Sequence, residues 1–200
     1  MHRKPVSLTV AAVIGMVGAS AAGQTMTFSW IPDTIVITPL KPSATVAVTA
    51  LMDTGGAPFY GFASDIFDVL ATGFDATFDQ VAWEPNGLLT RLTNGWGDPQ
   101  ANGDILDIDL FQLPEFFSPH IDKRNPIPIG WLTFSTTNFF PRGVNFKDRN
   151  HRNTAVYIDS FGATLPVTPI DPGVTFDIVP VPGTFAILAL GCAAVFRRTR

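Results

Sequence analysis

A period of two runs through this chain and limits what it can become. Across residues 25–30, Thr25, Thr27 and Ser29 alternate without a break with Met26, Phe28 and Trp30. Successive side chains of a strand point to opposite faces, so this pattern predicts a half-buried strand. Residues 44–52 repeat it, with Val46, Val48 and Ala50 opposing Thr45, Ala47 and Thr49. In residues 105–113, Leu106, Ile108 and Leu110 oppose Asp107 and Asp109. In residues 131–137, Leu132 and Phe134 oppose Thr133, Ser135 and Thr137. Residues 174–178 set Val174, Phe176 and Ile178 against Thr175 and Asp177, a strand expected to pair back into the sheet. Residues 34–38, 78–83, 143–146 and 154–158 are further candidates. Residues 65–70 fit a helical face as well as a strand; the nearby Gly55, Gly56, Gly61 and Gly73 favour a strand or one short helical turn.

The spaces between these runs are filled by turn formers. Seventeen Gly and seventeen Pro divide the chain into short segments, and seventeen Phe suit a pleated, half-buried surface. The expectation is an all-β body of eight to ten strands, a β-sandwich of Ig-like or jelly-roll type. Irregular spacing and the lack of an internal repeat argue against a propeller.

Charge narrows the function classes. Charged residues make up 15% of the chain, against roughly a quarter in average soluble domains. Arg3, Lys4, Arg197, Arg198 and Arg200 lie at the two ends. Setting those five aside leaves eight basic residues against seventeen acidic ones, a balance of −9 for the body. Such a surface repels phosphate backbones, so nucleic acid is not an expected partner. The single cysteine, Cys192, lies near the end of the chain, which leaves the body without a disulfide or a thiolate metal site.

Both ends read as handling signals. A positive start at Arg3 and Lys4, an apolar run over residues 6–17 and small residues at Ala19, Ser20, Ala21 and Ala22 have the order of a secretory signal peptide, assigned to residues 1–23. The body is assigned to residues 24–178. Residues 179–200 begin Val179-Pro180-Val181-Pro182-Gly183, continue with an apolar stretch and end on Arg197, Arg198 and Arg200. Residues 184–196, thirteen in number and almost wholly apolar, rise about 20 Å as a helix, short of the roughly 30 Å hydrocarbon core. By the positive-inside rule the arginines stay on the cytoplasmic side.

This tripartite tail resembles the PEP-CTERM sorting signal, in the variant where Val181 replaces the usual acidic residue. The resemblance covers residues 179–200. It implies handling by an exosortase-like enzyme after signal peptidase, a short transmembrane-like helix that holds the membrane transiently, and arrival at the cell surface or outside the cell. The alternative is a plain carboxyl-terminal membrane anchor. The body is also loosely similar to the Phe-rich bodies of other PEP-CTERM proteins, and distantly similar to cohesin-type sandwiches, a likeness of fold alone.

No reaction centre stands out. His120 shares an extended segment with Asp122, and His151 sits in the polar run of residues 147–153; both read as solvated loop histidines. There is no Gly-x-Ser-x-Gly, no body cysteine and no Gly-rich phosphate loop. Asp98, Asn102 and Asp104, with a turn at Gly103, offer oxygen ligands of the kind calcium takes, though an acidic turn between strands accounts for them more simply. Trp96, between Gly95 and Gly97 in an expected loop, is the tryptophan best placed to stack on a sugar ring, while Trp30 and Trp131 are expected in the core. The reading is therefore a non-catalytic secreted or cell-surface protein, structural or matrix-associated. A carbohydrate-binding module, with polysaccharide as partner and calcium as cofactor, is the alternative.

Overall fold

The computed structural model describes residues 23–89, 95–112 and 124–180. The expected signal peptide up to residue 22, the pair His120 and Asp122, and the tail from Val181 onward lie outside the described residues. Within them the chain forms twelve strands: β1 (Thr25–Ile31), β2 (Thr34–Ile37), β3 (Ser43–Asp53), β4 (Gly61–Thr72), β5 (Asp79–Pro85), β6 (Trp96–Pro99), β7 (Ile105–Phe111), β8 (Ile127–Thr136), β9 (Arg142–Tyr157), β10 (Thr164–Pro166), β11 (Thr168–Ile170) and β12 (Val174–Ile178). They make two sheets. One has five strands in the order β11-β1-β3-β8-β5; the other has seven, in the order β2-β12-β9-β4-β7-β6 with β10 beside β9. The architecture is an all-β sandwich, as the alternation predicts. None of the described residues forms a helix, and residues 65–70 lie within strand β4.

The alternating runs bury the faces assigned to them. Met26, Phe28 and Trp30 of β1, Val46, Val48, Ala50 and Met52 of β3, and Leu132 and Phe134 of β8 are buried on the inner side of the five-stranded sheet. Val144, Phe146, Val174, Phe176 and Ile178 answer them from the other sheet. Much of the phenylalanine content goes into this interior. The Phe134 ring lies 5.0 Å from that of Phe176 and 6.0 Å from that of Phe146, and Phe146 meets Phe176 edge to face at 5.7 Å. Tilted and edge-on aromatic pairs of this kind stabilise a core beyond their area alone. β12 pairs with β9 and β2, so the last strand does return to the sheet.

Strand β9 departs from expectation. Two short strands with a polar loop between them were predicted over residues 143–158; the protein has one strand of sixteen residues. Its middle is irregular. Asn150 and Asn153 both take a left-handed φ of 60°, and the β4–β9 register shifts between Phe62 and Ser64, Ser64 and Ile66, and Ile66 and Asp68. Asparagine tolerates this conformation better than most residues, so the polar run suits a bulged strand as well as a loop.

Candidate functional site

The bulges on β9 turn three polar side chains inward. His151 has only 12% of its side chain exposed, so its reading as a solvated loop histidine is wrong. Its Nδ1 contacts Asp65 Oδ2 of β4, and its Nε2 contacts Asp148 Oδ2 on its own strand. The Thr154 hydroxyl donates to Asp65 Oδ1 at 2.8 Å. The Phe67 ring stacks on the imidazole at a centroid distance of 5.1 Å, with Phe28 at 5.2 Å. A third acid completes the cluster. Asp171, before β12, accepts the Trp30 indole N–H at 2.7 Å, the Gly173 N–H at 2.8 Å and the Asp148 N–H at 2.5 Å. The cluster therefore joins β1, β4, β9 and the approach to β12.

Electrostatics follow from that enclosure. Burial alone would lower the His151 pKa, but hydrogen bonds to Asp148 and Asp65 and their charges outweigh it and raise it from 6.5 to about 9. Burial pushes the Asp148 carboxyl from 3.8 up to about 7, against the lowering effect of His151 and with the help of nearby Asp171. The Thr154 hydroxyl is spent on Asp65. As arranged, the cluster ties strands together.

On the outside, the two sheets present different chemistry. The outer face of the five-stranded sheet is built from hydroxyl and small residues, in rows such as Ser43–Ser135–Gln80, Thr45–Thr133–Ala82 and Ala47–Trp131–Glu84. The Thr45 and Thr133 hydroxyls bond each other at 2.8 Å. On the seven-stranded sheet, β9 exposes Lys147, Arg149 and Arg152. Arg152 donates to Asp107 at 3.1 Å, and Asn150 donates to Asp68 Oδ2 at 2.8 Å.

The tryptophans divide between core and surface. Trp30 is in the core as expected, but Trp131 is 38% exposed on the outer face of the five-stranded sheet, which corrects its placement inside. Trp96 is 37% exposed and opens strand β6; it is not in a loop. A Cβ on Gly97 would meet Trp83 Cδ1 at 2.7 Å, and one on Gly130 would meet Trp83 Cζ2 at the same distance. Both glycines thus face the indole of Trp83 inside the sandwich. Trp131, between the buried Gly130 and Leu132, points to the outer face of the five-stranded sheet, whereas Trp96 stands opposite the buried Ile108 in the β6–β7 register, so the two tryptophans belong to different sheets.

The loop between β6 and β7 holds the residues singled out for calcium. Asn102 donates to Asp104 Oδ2 at 2.7 Å, and the Ala71 N–H of β4 donates to Asp104 Oδ1 at 2.7 Å. Asp98 stands exposed on β6, and its carbonyl accepts the Gln100 side chain at 2.9 Å. Both oxygens of Asp104 thus tie the turn to itself and to β4. Of the tail motif, Val179 and Pro180 are described: the Val179 N–H bonds the Ile37 carbonyl at 2.8 Å. Val181, Pro182, Gly183, Arg197, Arg198 and Arg200 lie outside the described residues.

No protein-family model matches the chain, and no curated protein does. Solved structures do. The seventh ScaB type I cohesin of Pseudobacteroides cellulosolvens superposes with a TM-score of 0.57 at 11% identity, covering 78% of this chain and 94% of that one. The Coh-OlpC–Doc435 cohesin–dockerin complex of Clostridium thermocellum matches with a TM-score of 0.52 at 10% identity, covering 78% and 95%. The sixth cohesin of scaffoldin B from Acetivibrio cellulolyticus, solved with a Cel5 dockerin, matches at 0.50 and 14% identity, covering 78% and 99%. At these identities the likeness is one of fold: the chain has a cohesin-like β-sandwich.

Proposed function

We propose that the body is the non-catalytic recognition module of an exported protein, and that the outer face of its seven-stranded sheet receives a partner protein. The observation that carries this reading is the cohesin-like sandwich. Two of the structures it resembles were solved with a dockerin bound. The chemistry of the face supports the choice of surface. Lys147, Arg149, Arg152 and Asp107 give it both signs of charge, the groups that confer register and specificity at protein interfaces.

Cross-linking the full chain to proteins recovered from its own host tests this reading. Cross-links concentrated at Lys147, and a complex lost in the double variant Arg149→Glu, Arg152→Glu, are expected. Cross-links confined to the opposite sheet, or a complex indifferent to that variant, would overturn it.

The tail reading is proposed with it: export by the signal peptide, then sorting through residues 179–200 to the cell surface or beyond. Intact-mass measurement of the mature protein by cell fraction distinguishes a chain ending near Val179 from one that keeps Arg200 in the membrane. The carbohydrate reading rests on Trp96 alone, since Trp131 belongs to the other sheet. A glycan array on which the wild type and Trp96→Ala behave alike removes it. A calcium titration that leaves thermal stability unchanged removes the cation reading of Asp98, Asn102 and Asp104.

A further inference from the structure

The imidazole of His151 faces a carboxyl oxygen at each ring nitrogen. A neutral imidazole has one N–H and one lone pair, so only the doubly protonated ring can donate to both. Acids outnumber bases around it. Asp65 approaches from β4, Asp148 and Thr154 from β9, and Asp171 from the segment before β12. β1 contributes the Phe28 ring and the Trp30 indole. The inward positions of β3 and β7 are apolar, at Val48, Ala50 and Met52 and at Ile108 and Leu110. Asp109 of β7 pairs with Ile66, and Leu110 with Asp65, which puts Asp109 on the other side of the sheet. Arg149 and Arg152 are exposed on that same outer side, and Arg152 is engaged by Asp107. Asp148 Oδ1 is buried without a hydrogen-bond partner among the described residues, an arrangement that favours a proton on that carboxyl.

We propose that Asp65, His151 and Asp148 form a proton-held latch on β9, which keeps the bulged segment between Asp148 and Thr154 seated on β4 and releases it in alkali. The segment is poised for this. Its left-handed Asn150 and Asn153 and its shifting register leave fewer regular ladder bonds than the flanking stretches have. When His151 loses a proton, a lone pair confronts a carboxyl oxygen. When Asp148 loses one, a second buried oxygen is left charged.

The direction of the pH effect follows from the shifts. His151 rises from 6.5 to about 9 on folding and Asp148 from 3.8 to about 7, so the folded state binds more protons than the unfolded chain. The latch's contribution is full in acid, below each group's unfolded value. It falls as pH passes through about 7 and is lost through about 9. This inference holds whichever partner, if any, the outer face takes.

Two measurements on the full chain test it. In ¹⁵N imidazole spectra, with the variant His151→Gln used to assign the signal, His151 is expected to keep both ring protons through neutral pH and titrate well above 6.5. In hydrogen exchange corrected for intrinsic rates, the amides of residues 149–153 are expected to lose protection in alkali before that of Phe146. The variant Asp148→Asn should remove the step near neutrality and leave the one near the His151 value. An imidazole that titrates at or below 6.5 would overturn the latch, as would protection at residues 149–153 that tracks Phe146 at every pH. The wild-type exchange readout stands even if a variant fails to fold.

Discussion

The guanidinium of Arg142, on β9, and the carboxylate of Asp79, on β5, meet at 2.5 Å across the gap between the two sheets. The Asp79 side chain is fully buried. Its second oxygen accepts the Asp75 N–H at 2.8 Å, and Arg142 also donates to the Asn138 carbonyl at 3.0 Å. Removing one member of a buried pair leaves the other charge uncompensated. Arg142→Ala is therefore expected to cost about 3–5 kcal/mol, measured by urea denaturation. Asp79→Asn combined with Arg142→Leu should cost less than Arg142→Ala alone. Equal losses would mean that the pair contributes only by packing.

Gly130 is fixed by its surroundings. A methyl group there would lie 2.6 Å from the Glu84 carbonyl and within 2.8 Å of the Trp83 ring. The carbonyl belongs to the β5–β8 ladder and cannot step aside. Gly130→Ala should destabilise the protein by about 1–3 kcal/mol and shift the emission of Trp83. A variant with wild-type stability and spectrum would contradict the packing described.

Trp30→Phe removes one hydrogen bond and part of a buried ring system. Asp171 then loses the indole N–H it accepts at 2.7 Å, while keeping its bonds to Gly173 and Asp148. A loss of at least about 1.5–3 kcal/mol is expected, the range for a hydrogen bond to a charged group, with the cavity left by the smaller ring adding to it, read from thermal or urea unfolding.

Trp131→Thr is the contrasting case. The ring stands outside the core, and threonine matches its neighbours Thr45 and Thr133. Stability should change by no more than about 0.5 kcal/mol. A larger loss, seen by calorimetry, would show that the indole packs against its own sheet.

These residues also mark what the sequence could and could not disclose. Strands β1, β3, β8 and β12 follow the alternation almost to the residue, because one face of each is buried against apolar partners. Trp131 belonged with Thr133 and Ser135 in that same alternation; its size suggested the core, but its phase put it outside. The middle of β9 carries no strand signal, because its inward positions, Asp148, His151 and Thr154, find polar partners and the apolar alternation that defines a strand is missing there. The carboxyl that makes His151 a buried residue comes from Asp65, eighty-six positions away. No local pattern could have joined them. Asn150 and Asn153 offered a faint hint, since two asparagines three apart in a polar run suit backbone bends, whether in a loop or in a strand.

β12 lies between a parallel neighbour, β2, and an antiparallel one, β9, and the Val179 amide continues the ladder to Ile37 beyond its end. A pull on the residues after Val179, directed along the strand, would load the hydrogen bonds on both flanks sideways and all at once. They could not open singly from one end. Rupture under tension is governed by the height of that collective barrier and not by the equilibrium stability of the body. A chain moored through its carboxyl end would thus meet drag from flowing water at a seam that yields only by shear.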